Sequence, residues 1–276
     1  MKKIFIAILG FLLFLPAVFA QQKKTSVDIA FSIDWTFGCY KETTFSSISQ
    51  SLLSPRFQVE TTIHSNDFMH KITFDYFYTK PTSAMTETAV TYRNFDPITG
   101  ESYYESFQSK LQFHRIRVQY DLLYGVRQLN KTTFYAGGNL STNVYMQFEN
   151  YPSITGIMSL GPSGGFDYQI NEQNKVSVFC ALPFFGYGVR PSYAGCDARL
   201  MKYAEEDFMK ILTLGNFLSL HNYQAILLNA DYNFQITKNF SLGVGSNFEY
   251  SRIAVPKERP LYYFNGSFNT KATVSF

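Results

Sequence analysis

The feature that most constrains this chain is a residue-by-residue alternation of apolar and polar side chains that recurs in ten segments. In the first, Thr25 to Gly38, one parity holds Val27, Ile29, Phe31, Ile33, Trp35 and Phe37 and the other holds Asp28, Ala30, Ser32, Asp34 and Thr36. Successive side chains of a β-strand point to opposite faces, so the pattern predicts a strand with one apolar and one polar face. It returns at Arg56 to His64, around Ile72 to Tyr78, in a segment ending near Gly125, around Asn139 to Phe148 and around Met158 to Ile170. Four more follow, at Val176 to Phe184, Ile226 to Ile236, Leu242 to Tyr250 and Tyr262 to Phe276. The sixth is the weakest, because Gly161, Pro162, Gly164 and Gly165 interrupt it, and glycine within a strand marks a bulge or bend.

Composition decides what the apolar faces meet. The chain has 28 Phe and 20 Tyr against one Trp, only 16% charged residues, and a mean hydropathy of -0.11. Apolar residues diluted this evenly by polar ones fit alternate lipid-facing and lumen-facing positions. Lys2 and Lys3, the apolar run Ile4 to Phe14 and the small-residue site Val18-Phe19-Ala20 follow the order of a cleavable export signal, so residues 1–20 are expected to be removed and 21–276 to form one domain. The apolar run is shorter than the roughly 17–25 residues that cross a bilayer as a helix, and no later run reaches that length. A membrane-spanning mature chain must then be a closed barrel, whose backbone groups pair between strands. Without Lys2 and Lys3 the formal charge falls from +3 to +1, which offers no basic field for nucleic acid.

Connection lengths agree. Every even-numbered gap is short: Ser65-Asn66-Asp67, Arg127 to Thr132, Asn171 to Asn174 and Thr237-Lys238-Asn239. The long gaps are all odd-numbered: Cys39 to Pro55, Lys80 to Ser102 and Arg190 to Leu218. A membrane barrel has short turns at one rim and longer loops at the other. The expected fold is an all-β, antiparallel up-and-down transmembrane barrel of about ten strands, with eight and twelve as alternatives. The second long gap predicts a protruding hairpin, because Thr88 to Tyr92 and Ser102 to Ser106 flank the turn-forming run Asp96-Pro97-Ile98-Thr99-Gly100. In the gap Arg190 to Leu218, Leu200, Ala204, Phe208 and Ile211 recur at helical spacing, which predicts a short extracellular helix over Asp197 to Leu212.

With its alternating final strand ending in Val274 and Phe276, the chain resembles bacterial outer-membrane β-barrel proteins in general architecture. The resemblance implies a place in the outer membrane with both termini periplasmic, contact with outer-membrane lipid, and recognition of Val274 and Phe276 by the barrel assembly machinery. The loops would then meet any extracellular ligand or protein.

Candidate chemistry is sparse. The polar faces collect Asp28, Asp34, Arg56, Glu60, Lys71, Asp75, Arg115, Arg117, Asp121, Asp231, Glu249 and Lys271, predicted to line the lumen. Both signs occur in similar numbers, and buried charges are costly unless paired, so a mutual network that fills the lumen is expected. A structural or binding barrel acting through its loops is the leading function, and a narrow solute or ion channel using Arg115 and Arg117 is the alternative. Ser219 and His221 lie two apart and, in a strand, would share a face, the minimal pair for a lipid or peptide hydrolase in which a base activates a hydroxyl. Cys39 and Cys196, both in predicted loops, are candidates for a disulfide in an oxidising compartment. Neither the scattered histidines nor the cysteines have metal-site spacing, and no cofactor motif occurs, so no metal or cofactor is expected.

Overall fold

The computed structural model describes residues 25–43, 49–82, 90–95, 101–107, 111–148, 153–190, 202–203, 206, 210 and 212–276. The predicted signal segment, Cys196 and most of the predicted helix lie outside the described residues.

Ten strands close into one antiparallel barrel. In ring order they are β1 (Thr25–Glu42), β2 (Gln50–Ser65), β3 (Phe68–Thr79), β6 (Gln112–Leu129), β7 (Thr132–Phe148), β8 (Ser153–Gln169), β9 (Asn174–Ala181), β12 (Tyr223–Thr237), β13 (Phe240–Ile253) and β14 (Leu261–Ser275). β14 pairs back onto β1, so no edge is left along the ring. β10 (Phe185–Val189) continues β9 past Leu182-Pro183-Phe184, and β11 (Asn216–Leu218) pairs with β10 ahead of β12. β4 (Val90–Phe95) and β5 (Ser102–Phe107) form the expected hairpin as a separate two-stranded sheet. At the rim that carries the termini the turns are tight. Asn66 and Asn130 adopt φ of 53° and 50°, a left-handed conformation that asparagine tolerates in two-residue hairpin turns.

The register fixes the barrel's girth. From Asp34, partners run through Arg56, Phe77, Arg115 and Tyr145 to Thr155 of β8. In the other direction they run through Asn269, Gly245, Asp231 and Ser177 to Asp167 of the same strand. The two paths meet β8 at positions 155 and 167, a stagger of twelve residues. A ten-stranded barrel is only slightly wider than the eight-stranded kind whose side chains fill the interior.

The alternation sorts the faces as the sequence predicts. Phe31, Ile33, Trp35 and Phe37 are exposed on the outside of β1, while Ser32, Asp34 and Thr36 are buried inside it. The strands are longer than the alternation alone indicated. β1 runs on to Glu42 and β2 begins at Gln50, so Cys39 sits within a strand, paired in register with Phe264 and Ser51, rather than in a loop. Its thiol is free. Toward the loop rim the inward positions of most strands turn apolar: aromatic on β1, β3, β6, β7, β12 and β14, aliphatic on β2, β8 and β13.

Candidate functional site

The lumen is built in layers, here described from the rim that carries the termini to the rim that carries the loops. At the terminal rim lies an open cup of about 270 Å³, bordered by Asp28, His64, Asp167 and Lys175. Its floor is a chain of alternating charges: Lys71 Nζ lies 2.9 Å from Glu60, and Lys271 Nζ lies 3.7 Å from Glu60 and 2.9 Å from Asp231. Beside it Asp121, the register partner of Lys71, accepts hydrogen bonds from Gln119 Nε2 and Asn139 Nδ2, each at 2.7 Å.

The next layer crosses the barrel. Arg115 on β6 donates to both carboxylate oxygens of Glu249 on β13, at 2.5 and 2.6 Å. These strands stand five places apart in the ring by either route, so the pair spans the diameter. Arg117 bonds Asp75 at 2.5 Å and reaches Glu249 at 3.3 Å, while Arg56 pairs with Asp34, which also accepts from Asn247 and Ser267. Arg115, Asp34 and Asp75 have no exposed surface. An ion pair withdrawn from water is tolerated only when its remaining donors and acceptors are met, and this multiply bonded lattice does so for most of its atoms.

Above the charges lies an aromatic layer. Tyr40, Phe77, Phe113, Tyr145, Tyr223 and Tyr263 pack with Leu52, Ile157, Leu218, Ile253 and Leu261 into one buried cluster inside the barrel. Phe113 sits at its centre, with ring centroids 4.7 Å from Tyr40, 6.2 Å from Phe77, 6.3 Å from Tyr145 and 6.4 Å from Tyr263. The Arg115 guanidinium lies 4.9 Å from the Tyr263 ring centre, which joins the two layers by a cation–π contact. At the loop rim Arg190 pairs with Glu42 and donates to the carbonyls of Ile253 and Val255 at 3.3 and 2.9 Å, tying β1 to the end of β13.

All twelve predicted lumen residues are brought inside. Eleven are buried, and Asp28 is partly exposed at the cup. The interior is polar through its terminal part, and toward the loop rim the expected polar, largely filled lumen also holds an apolar layer. Neither the aromatic layer nor the Glu42–Arg190 pair was anticipated, yet parity marks most of them. Tyr40 and Glu42 share the parity of Asp34, Phe77 that of Asp75, Phe113 that of Arg115, and Tyr263 that of Asn265.

Ser219 and His221 are not on a strand face. Both lie in the turn between β11 and β12, where the Ser219 carbonyl accepts from the amides of Asn222 and Tyr223 and Asn222 Oδ1 caps the Ser219 amide. His221 is exposed.

No protein-family model matches the chain, and no curated protein matches it by sequence. Solved structures do match. The outer-membrane protease OmpT from Escherichia coli superposes with a TM-score of 0.56 at 6% identity, over 93% of this chain and 99% of that one. Neisserial surface protein A gives 0.36 at 11% identity over 90% and 97%, and an outer-membrane channel from Pseudomonas putida F1 gives 0.44 at 7% over 91% and 95%. The first likeness concerns the fold and says nothing of activity. The chain has the closed antiparallel barrel architecture of bacterial outer-membrane proteins.

Proposed function

We propose that the protein is an integral outer-membrane barrel with a sealed lumen, which acts as a structural or binding barrel through its extracellular rim. One observation carries this reading: the aromatic layer lies directly on a charge layer whose Arg115–Glu249 pair spans the barrel. A hydrated ion moving along the axis would have to break buried ion pairs and then cross an apolar section. Both steps are costly, and together they weigh against the narrow-channel alternative. The outward band of Phe, Leu, Ile and Val suits bilayer hydrocarbon.

In this orientation the tight-turn rim and both termini face the periplasm, and the β4–β5 hairpin projects outside the cell. The closing strand β14, with Val274 opposite Ile29 and Phe276 bonded to the Val27 backbone, is the segment offered to the assembly machinery. The hairpin is the proposed contact for an extracellular ligand or protein, because two paired strands standing apart from the barrel sheet are only marginally stable alone.

Single-channel recording of the refolded protein in a planar bilayer tests the seal, once a heat-dependent gel shift has shown that the barrel has formed. A silent bilayer is expected. Reproducible current steps would overturn the sealed-lumen reading and make Arg115 and Arg117 the residues to vary for ion selectivity.

A further inference from the structure

The cup at the terminal rim differs from the rest of the lumen in how its charges are satisfied. Its floor pairs, Lys71 with Glu60 and Lys271 with Asp231, close at 2.9 Å and are almost wholly buried. Its border pairs do not close. His64 stands 3.8 Å from Asp28 with exposures of 32% and 29%, and Lys175 stands 3.6 Å from Asp167 with exposures of 37% and 15%. Both separations exceed an ordinary hydrogen bond, so each pair has donor and acceptor capacity to offer a third group. The pairs also face each other: Asp28 and His64 come from β1 and β2, Asp167 and Lys175 from β8 and β9, half the ring away. Met69 and Phe179 add apolar side chains to the same lining.

We infer that this cup binds a small zwitterion, a molecule of amino-acid or dipeptide size that carries an ammonium and a carboxylate. The ammonium is met by Asp28 or Asp167 and the carboxylate by Lys175, with His64 as a further donor. The balance of the lining selects for both charges at once. Four carboxylates, Asp28, Glu60, Asp167 and Asp231, stand against Lys71, Lys175 and Lys271, so a ligand of one sign meets repulsion along with attraction. Among the described residues no group of histidines, cysteines and carboxylates is placed to hold a metal ion, which favours an organic cation. At about 270 Å³ the cup falls just below the range of drug-sized sites, which caps the ligand's size. The floor closes the cup, so the ligand is held and released on the same side. That this side is the periplasm rests on the orientation proposed above; the binding does not.

The test uses the whole barrel, refolded in detergent micelles and labelled with 13C at the methionine methyls, so that Met69 reports from inside the cup. Its signal is assigned with Met69→Leu. L-Alanyl-L-alanine should shift that signal saturably at millimolar concentration, and putrescine and succinate, which carry one sign each, should bind about tenfold more weakly or worse, a difference of about 1.4 kcal/mol. Two further results are expected: N-acetylation of the dipeptide removes binding, and so does Lys175→Gln combined with Asp167→Asn in protein that still shows the heat-dependent gel shift. No saturable shift with the dipeptide, or equal binding of succinate, putrescine or the acetylated dipeptide, would overturn the proposal. The ligand-side comparison needs no variant to fold, and micelles make the outcome independent of membrane orientation and of conductance.

Discussion

Removing the Glu249 carboxylate should be among the most damaging single changes in the barrel. Glu249 takes both of its short hydrogen bonds from Arg115 and a third from Arg117. In Glu249→Leu, Arg115 and Arg117 would remain in the central layer with Asp75 as their shared carboxylate, leaving one positive charge uncompensated. Breaking a buried pair by removing one partner costs about 3–5 kcal/mol, a large share of a marginal total stability. The two short bonds from one Arg115 nitrogen and the full burial of Arg115 place this case toward the upper end. Urea unfolding in lipid vesicles measures it, with the single tryptophan, Trp35, as the fluorescent probe. The decisive comparison is Arg115→Met with Glu249→Leu in one chain. If the interior charge is the cause, the double variant loses less than either single one, because the stranded charge is gone. Additive losses, or a cost below about 1 kcal/mol for Glu249→Leu, would refute the network as the organising element of the lumen.

Other expectations follow from the same layers. Phe113→Ala should cost about 3–5 kcal/mol in the same assay, as for an aromatic ring lost from a packed core, yet the barrel should stay electrically silent because the Arg115–Glu249 pair still spans it. Trp35 is 67% exposed on the outward face, so its fluorescence should be quenched by lipids carrying a quencher on the acyl chain and little affected by aqueous iodide; the reverse would place the apolar band outside the bilayer. Cys39, a free thiol on the outward side of β1, should react with a membrane-permeant maleimide without prior reduction, and failure to do so before reduction would show it bonded. Deletion of Thr88 to Ser106 should leave the heat-dependent gel shift intact, since the hairpin forms a sheet of its own, and should abolish binding of any extracellular partner.

Why some of this architecture was legible and some was not comes down to which physical rule governs each residue. Strand existence, order and facing follow from a period of two, and that rule is local. It therefore located Asp34, Asp75 and Arg117 inside the lumen before any fold was known. Strand length is not local. Where a strand leaves the apolar band, its outward residues turn polar, as at Lys41, and the contrast between faces reverses or fades. Tyr40 then falls within the expected gap Cys39 to Pro55 and Phe113 goes unassigned, although their parity already placed them with Asp34 and Arg115. Polarity was the wrong guide there and parity the right one. Pairing across the barrel lay wholly outside the sequence. Arg115 and Glu249 are 134 positions apart, and only the stagger of the closed ring sets them face to face. The turn holding Ser219 and His221 escaped for a similar reason: β11 pairs with β10 while β12 pairs with β9, and the chain must absorb the mismatch between them.

The layering also bears on where function can reside. A ten-stranded ring leaves a bore that long side chains can span, and this chain spends that space on arginines, carboxylates and tyrosines locked together. Such a lattice would make a poor conduit, since each buried group is held by its partners and moving one strands another. It makes a rigid stem. Under the proposed seal, a rigid centre would isolate the two ends, because the Arg115–Glu249 pair and the aromatic layer lie between the terminal cup and the loop rim. The two ends are then expected to act independently: dipeptide occupancy of the cup should leave partner binding at the β4–β5 hairpin unchanged. Measured coupling between them would mean that the Arg115–Glu249 layer has a second packing arrangement, and that the seal is a switch.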